Sequence, residues 1–152
     1  MKLKWHICSI ALLAFCCSCT PQTGSSASVD SRDVATEQAI NLADCLTQEE
    51  SNYLIFFHSD ACQQCKEIMG DVTEFARLNY IKTYFIDASK NENKVTLCQP
   101  DEVVIGVTSV EHIAIVGTPS FIEVEDGVTV ANVAGKNSCL TFMNEQRIKH
   151  KL

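Results

Sequence analysis

Two cysteines separated by two residues, Cys62 and Cys65, are the side chains of this sequence best suited to do chemistry. At this spacing, one sulfur can attack a disulfide of another molecule, and the other, one helical turn away, can resolve the mixed disulfide. The pair therefore predicts a thiol–disulfide exchange site. The intervening Gln63 and Gln64 do not reveal its direction, because direction depends on how strongly the thiolate is stabilised.

Zinc binding is the alternative use of the same two sulfurs. A structural zinc site usually needs four ligands, and the sequence offers no second matching pair. We therefore expect no metal ion, and nothing in the sequence indicates a cofactor.

The residues around the pair predict a strand, a loop and a helix. Tyr53 to Phe57 is an uninterrupted apolar run of the length of a strand buried on both faces. After Cys65, apolar residues recur at helical spacing, namely Ile68, Met69, Val72, Phe75 and Ala76. The cysteines then lie at a helix N-terminus, where backbone amides and the helix dipole favour a thiolate.

The other predicted elements alternate in type along the chain. They are a helix over Val34 to Cys45, a strand over Tyr80 to Asp87, and a short helix that starts with a Thr108/Glu111 capping box, has Val110, Ile113 and Ala114 on one face and ends at Gly117. Strands Phe121 to Glu125 and Val128 to Val133 follow across Asp126-Gly127, and Asn137 caps a last helix with Leu140, Phe142, Met143 and Ile148 facing inward. This order predicts an α/β fold.

The sequence resembles the thioredoxin superfamily. Three features carry the resemblance: the cysteine pair after a strand, Val116-Gly117-Thr118-Pro119-Ser120-Phe121 at the start of a hairpin strand, and Gly135 after that hairpin. The resemblance covers nearly everything from Val34 to Leu152. It implies a thioredoxin-like fold with a central mixed sheet of about four strands flanked by helices.

The same resemblance implies roles for four residues. Cys62, the exposed member of the pair, would be the nucleophile, and Cys65 the resolving thiol. Pro119 would follow a cis peptide bond and lie against the cysteine pair, while the backbone of Thr118 pairs with a substrate chain. The alternative for Pro119 is a trans proline that begins an edge strand.

The sequence departs from the thioredoxin pattern near the cysteine pair. Phe56 occupies the position of an acidic residue that many thioredoxins bury, Ala61 replaces the usual tryptophan, and Gly70 replaces a helix-kinking proline. His58 is a candidate for tuning the thiols, although an exposed polar residue beside such a site is more often merely solvated.

Residues 1–19 have the pattern of an export signal. Lys2 and Lys4 precede an apolar run from Ile7 to Cys17 that is short for a membrane span, and small residues and cysteines follow. The end of this segment resembles a bacterial lipobox, which implies lipidation of Cys19. Cys16 or Cys17 as the modified residue, ordinary cleavage, and an uncleaved anchor all stay open.

The rest of the chain divides into a tether and one domain. Residues 20–33 are rich in small polar residues and predict a flexible tether, 34–152 form the domain, and the stretch near 90–106 is an insertion relative to a minimal thioredoxin. Removal of residues 1–19 leaves 12 − 2 = 10 basic residues against 19 acidic ones, a net charge of −9. This charge argues against a nucleic acid partner.

Three further cysteines lie outside the signal and the pair. Cys45 and Cys139 fall on apolar helix faces and are most simply core residues, whereas Cys98 lies in the insertion and is the most exposed of the three by prediction. A disulfide between two of them, or a third redox cysteine, stays open.

These features together predict an exported thiol–disulfide oxidoreductase, lipid-anchored to the cell membrane and facing the periplasm or the outer surface. Its partners would be the thiols and disulfides of exported proteins and a membrane or soluble redox partner. The alternative is a thioredoxin-like binding module without redox turnover, such as the accessory proteins associated with bacteriocin production.

Overall fold

A computed structural model of the chain describes residues 31–102 and 105–151. Its helices are α1 (Ser31–Glu37), α2 (Gln63–Leu78) and α3 (Lys136–Lys149). Its strands are β1 (Asn52–His58), β2 (Lys82–Asp87), β3 (Thr96–Leu97), β4 (Ala114–Ile115), β5 (Ser120–Glu125) and β6 (Val128–Ala134). Within the described ranges, no helix has the length and apolar character needed to cross a membrane.

The main sheet has four strands in the order β2-β1-β5-β6. β1 lies in its interior because five consecutive residues, from Tyr53 to Phe57, are buried. β1 runs parallel to β2 and antiparallel to β5, so the sheet is mixed. The predicted α/β class with a mixed sheet of about four strands is confirmed.

The β5–β6 hairpin forms where the Asp126-Gly127 pair predicts it. Both residues have positive φ angles, 50° at Asp126 and 75° at Gly127, which is the backbone conformation of a tight two-residue hairpin turn. The hairpin register shifts between Glu123 and Val124. The turn fixes which residues of β5 point towards each face of the sheet.

Each face of the sheet has its own buried cluster. Successive side chains of β1 point to opposite faces of the sheet. Leu54 and Phe56 belong to the first cluster, and Tyr53, Ile55 and Phe57 belong to the second. The first cluster receives the apolar residues of all three helices. The second is covered by 3-10 turns and by the segment that ends in β4, with no α-helix among the described residues that pack there.

The helix predicted over Val34 to Cys45 is wrong beyond Glu37. There the chain extends along the outer edge of β2, where the Ile40 amide donates to the Phe85 carbonyl at 3.0 Å and the Phe85 amide donates to the Gln38 carbonyl at 3.0 Å. A 3-10 turn follows at Leu42–Asp44. α1 also begins at Ser31, within the segment predicted as a tether.

Three smaller predictions also differ from the structure. The Thr108 capping box does not form, since a 3-10 turn at Val110–His112 precedes strand β4. Gly135, rather than Asn137, is the N-cap of α3. Ile148, predicted to face inward, is 69% exposed because it lies on the outer side of the last turn of α3.

The structure shows short elements within the predicted insertion. A 3-10 turn covers Asn91–Asn93, and β3 pairs in parallel with β4. The predicted signal over residues 1–19 with Cys19, and residues 20–30 of the predicted tether, lie outside the described residues.

Candidate active site

Strand β1 and helix α2 position the two cysteines. β1 ends at His58, and the chain then turns, with the Cys62 amide donating to the Ser59 carbonyl at 3.0 Å. Cys62 is the N-cap of α2, and its sulfur accepts a hydrogen bond from the Cys65 amide at 3.1 Å. A sulfur that accepts an amide hydrogen bond at a helix N-terminus is favoured as a thiolate.

The two sulfurs differ in accessibility. The structure pairs Cys62 and Cys65 as a disulfide with Cα atoms 5.2 Å apart. Cys65 is 1% exposed, whereas Cys62 is half-buried. An incoming disulfide can therefore reach Cys62 more easily than Cys65.

The segment before β5 lies against the cysteine pair. The Thr118–Pro119 peptide bond is cis, as the resemblance implies. The Thr118 carbonyl oxygen lies 3.3 Å from the Cys62 sulfur. When Cys62 is reduced, its thiol can donate a hydrogen bond to this oxygen. Pro119 is buried, and its carbonyl accepts the Gly135 amide at 2.8 Å. All four predicted residues therefore meet at one place.

Helix α3 holds the other side of the cysteine loop. The Gln64 side-chain oxygen accepts the Lys136 amide at 3.1 Å, and the Lys136 ammonium lies 2.6 Å from the Glu67 carboxylate. The hydrogen bond from Lys136 lowers the pKa of Glu67. Because both charges are exposed, we expect this pair to orient the loop more than to stabilise the protein.

Aromatic rings pack around Phe56 in β1. Phe56 is fully buried, and its ring centroid lies 4.8 Å from that of Phe121 and 5.9 Å from that of Phe85. The His58 ring stacks on Phe56 with centroids 5.9 Å apart and planes 17° apart. His58 is thus held by aromatic packing at the end of β1.

The surroundings of His58 change the pKa of its imidazole. Burial, the largest influence, lowers the pKa of His58 below 6.5, while the carboxylates of Asp87 and Asp60 oppose the shift and Lys90 adds to it. The net direction is downward, so the imidazole is neutral at pH 7.

The remaining described cysteines are free thiols. Cys45 and Cys139 are fully buried, as predicted, and Cys98 is half-buried. The Cys139 sulfur lies 3.6 Å from the Pro119 carbonyl oxygen, behind the loop that faces the cysteine pair. In the part of the chain that the structure describes, no group of three or more His, Cys, Asp or Glu side chains is arranged to hold a metal ion.

Sequence reasoning missed the residues that join the site to the rest of the fold. Ser59 turns the chain into α2, Gln64 contacts α3, and Asp87 faces His58 from β2. Of these, only Asp87 carried a signal, since it ends the predicted strand Tyr80 to Asp87. The Gln64 contact joins residues 72 positions apart.

No protein-family model matches the sequence, and no curated protein matches it. Solved structures do share its architecture. The J-Trx1 fragment of ERdj5 matches with a TM-score of 0.52 at 12% identity, covering 80% of this chain and 56% of that one.

Two thioredoxins match over shorter parts of this chain. A mutant thioredoxin from Halobacterium salinarum matches with a TM-score of 0.49 at 20% identity, covering 72% of this chain and 83% of that one. Thioredoxin f2 from Chlamydomonas reinhardtii matches with a TM-score of 0.48 at 12% identity, covering 72% and 94% respectively. At such low identities the similarity concerns the fold alone.

Proposed function

We propose, from the thioredoxin-like fold of this chain and the cysteine pair at the start of α2, that it is a thiol–disulfide oxidoreductase. One observation carries the proposal. The half-buried Cys62 sulfur caps a helix and lies 3.3 Å from the carbonyl oxygen of Thr118, next to a cis proline. This arrangement presents one reactive sulfur beside backbone that a substrate chain can contact.

The reaction proceeds by two exchanges. The Cys62 thiolate attacks a substrate disulfide, forms a mixed disulfide and releases one substrate thiol. Cys65 then attacks Cys62, the Cys62–substrate bond breaks, and the second substrate thiol leaves. The cysteine pair loses two electrons and two protons, which the substrate gains. The reverse sequence oxidises a substrate dithiol.

The substrate class follows from the backbone beside the sulfur. Among the described residues, no hydrogen bond uses the Thr118 amide, although the chain beside it is ordered into β5. An extended polypeptide can pair with that amide in the manner of an added strand. We therefore infer protein disulfides or dithiols, rather than small thiols, as substrates.

A Cys62→Ser variant tests the function. We expect it to reduce the exchange rate with a disulfide-bonded peptide to the rate without protein, since Ser cannot form the mixed disulfide. Cys65→Ser should instead trap the mixed disulfide, which mass spectrometry detects. Cys98→Ser, a half-buried cysteine remote in sequence from the pair, is the control and should retain exchange.

Exchange that persists in Cys62→Ser would contradict the proposal. A protein that exchanges nothing but still binds a partner through the Thr118 face would support the second candidate, a binding module without turnover. The observation that favours this candidate is Phe56, a fully buried ring in β1 at the position where the resemblance implies a carboxylate.

Export and membrane anchoring are a further part of the proposal. The basic start, the short apolar run and the cysteines that end residues 1–19 support export followed by lipidation of Cys19. Two or more acyl chains on one cysteine give stable anchoring. The substrates would then be exported proteins, and a membrane or soluble partner would restore the redox state of the cysteine pair.

A further inference from the structure

A cavity of about 390 Å³ lies beside the cysteine pair. Both Cys65 and His58 line it, one from the first turn of α2 and the other from the end of β1. Its lining also includes the polar side chains of Asp60, Asp87 and Asn93. The wall is more apolar than polar, but a space of this size can hold several water molecules that bridge these polar groups.

The resolving step needs a proton acceptor near Cys65. Cys65 is 1% exposed, and a charged thiolate is disfavoured where bulk water is excluded. Cys62 does not share this need, since its sulfur is half-buried and accepts the Cys65 amide. The Cys65 proton must therefore leave as the sulfur attacks.

Five titratable side chains besides Cys65 line the cavity, and four of them are poor proton acceptors. Lys66 and Lys90 are exposed and carry ammonium groups, which donate hydrogen bonds but accept none, and Asp60 is exposed at the rim of the cavity. Burial tends to raise the pKa of Asp87, but hydrogen bonds from the hydroxyl and amide of Ser89 outweigh it and lower that pKa. Asp87 therefore stays ionised and is a weak base.

His58 is the remaining group. Its ring is fixed between Phe56, on which it stacks, and Phe85, whose centroid lies 6.4 Å away. Its pKa is lowered by burial, so the ring is neutral at pH 7 and has a free acceptor nitrogen. The carboxylates of Asp87 and Asp60 stabilise the imidazolium that forms when it takes a proton.

We propose that His58 accepts the Cys65 proton through water in this cavity and thereby drives the resolving step. The inference rests on the proposed function. In the mixed-disulfide state, the Cys65 S–H proton passes to the imidazole as the sulfur attacks Cys62. The Cys62–Cys65 bond forms, the bond between Cys62 and the substrate breaks, and the substrate sulfur leaves with the electron pair. That thiolate then takes a proton from the imidazolium or from solvent.

Stopped-flow kinetics with an aromatic disulfide such as Ellman's reagent separates the two steps. The attack by Cys62 gives a phase that depends on reagent concentration, and the attack by Cys65 gives a second release that does not. The protein is the full chain in detergent with serine in place of five other cysteines: Cys8, Cys16, Cys17, Cys19 and Cys98.

We expect His58→Gln to slow the concentration-independent phase about 100-fold or more at pH 7 and to leave the other phase unchanged. In the protein that retains His58, the rate of this phase should rise with pH to an inflection below pH 6.5, and His58→Gln should remove this inflection. His112→Gln, at an exposed histidine outside the cavity lining, is the matched control. An unchanged second phase, or equal slowing of both phases, would overturn the inference.

Asp87→Asn gives a second test that does not require the removal of His58. It eliminates a carboxylate that favours the imidazolium, so the inflection should move to lower pH. An inflection that stays in place would overturn the inference and leave the proposed function intact. If the protein that retains both His58 and Asp87 lacks the concentration-dependent phase, the proposed function itself would be overturned.

Discussion

The cysteines of the described domain differ in the surroundings of their sulfurs. Burial, the largest influence, raises the pKa of both Cys45 and Cys139 to about 12. Cys62, in contrast, is half-buried and accepts an amide hydrogen bond. At the scale of single residues, the same functional group is thus inert in the core and reactive at the start of a helix.

Alkylation of the reduced protein measures this difference. At pH 8, a thiol with a pKa near 12 is ionised to about one part in ten thousand, so Cys45 and Cys139 should resist iodoacetamide while Cys62 and Cys98 react. In denaturant, all should react. Mass spectrometry of the peptides gives the extent at each site, and rapid native alkylation of Cys139 would contradict the burial described here.

The chemistry of the site could be predicted from the sequence better than its surroundings. Cys62, Cys65, Thr118 and Pro119 belong to short motifs whose types and order are visible in one chain. The roles of Gln64 and Asp87 arise from contacts between elements far apart in sequence. Composition and periodicity carry no signal for such contacts.

At the scale of elements, the segment that follows the insertion, from Val107 to Ile115, is part of the core. Val107, Ile113 and Ile115 are buried in the second cluster, opposite the helices. The stretch before them pairs with β6, since the Gly106 amide donates to the Thr129 carbonyl at 2.6 Å. This segment therefore covers a face of the sheet on which no α-helix packs among the described residues.

Ile115→Ala tests this structural role. Ile115 is fully buried, and its truncation should reduce the free energy of unfolding by about 2 to 5 kcal/mol, because a cavity replaces the side chain. Ile105→Ala, at a residue that is 60% exposed, is the control and should change it by less than about 0.5 kcal/mol. Urea denaturation measures both, and equal effects would show that the segment does not pack as described.

Local and distant interactions explain which elements were predicted correctly. The Asp126-Gly127 turn is specified by the backbone preferences of two adjacent residues, so the hairpin could be predicted. The segment after Glu37 has apolar residues that suit a helix, yet it pairs with Phe85 of β2 instead. Hydrophobic periodicity cannot detect a distant strand edge that offers better hydrogen bonds.

At the scale of the whole molecule, both edges of the main sheet carry added chain. Residues 38–40 bond to the outer edge of β2, and residues 106–107 bond to that of β6. Occupied edges leave fewer backbone groups available for pairing with other chains. This protection suits a domain concentrated at a surface, as the proposed anchor requires.

Labelling of cells with a fatty acid analogue tests the proposed anchor. We expect the full chain to incorporate the label and to fractionate with membranes. Cys19→Ser should lose the label, while Cys16→Ser and Cys17→Ser, matched substitutions at neighbouring positions, should retain it. If Cys16→Ser or Cys17→Ser loses the label instead, that cysteine is the modified residue. A chain that is never labelled would contradict lipidation.

The capping sulfur of Cys62 also connects redox preference to folding stability. The same atom caps the N-terminus of α2 and enters the disulfide, so oxidation changes the group that accepts the Cys65 amide. A thermodynamic cycle then equates the difference in unfolding free energy between the reduced and oxidised proteins with the difference in reduction potential between the native and unfolded chains. A more stable reduced form identifies an oxidant, and a more stable oxidised form identifies a reductant. Two denaturation curves would therefore reveal the direction of electron flow before any substrate is known.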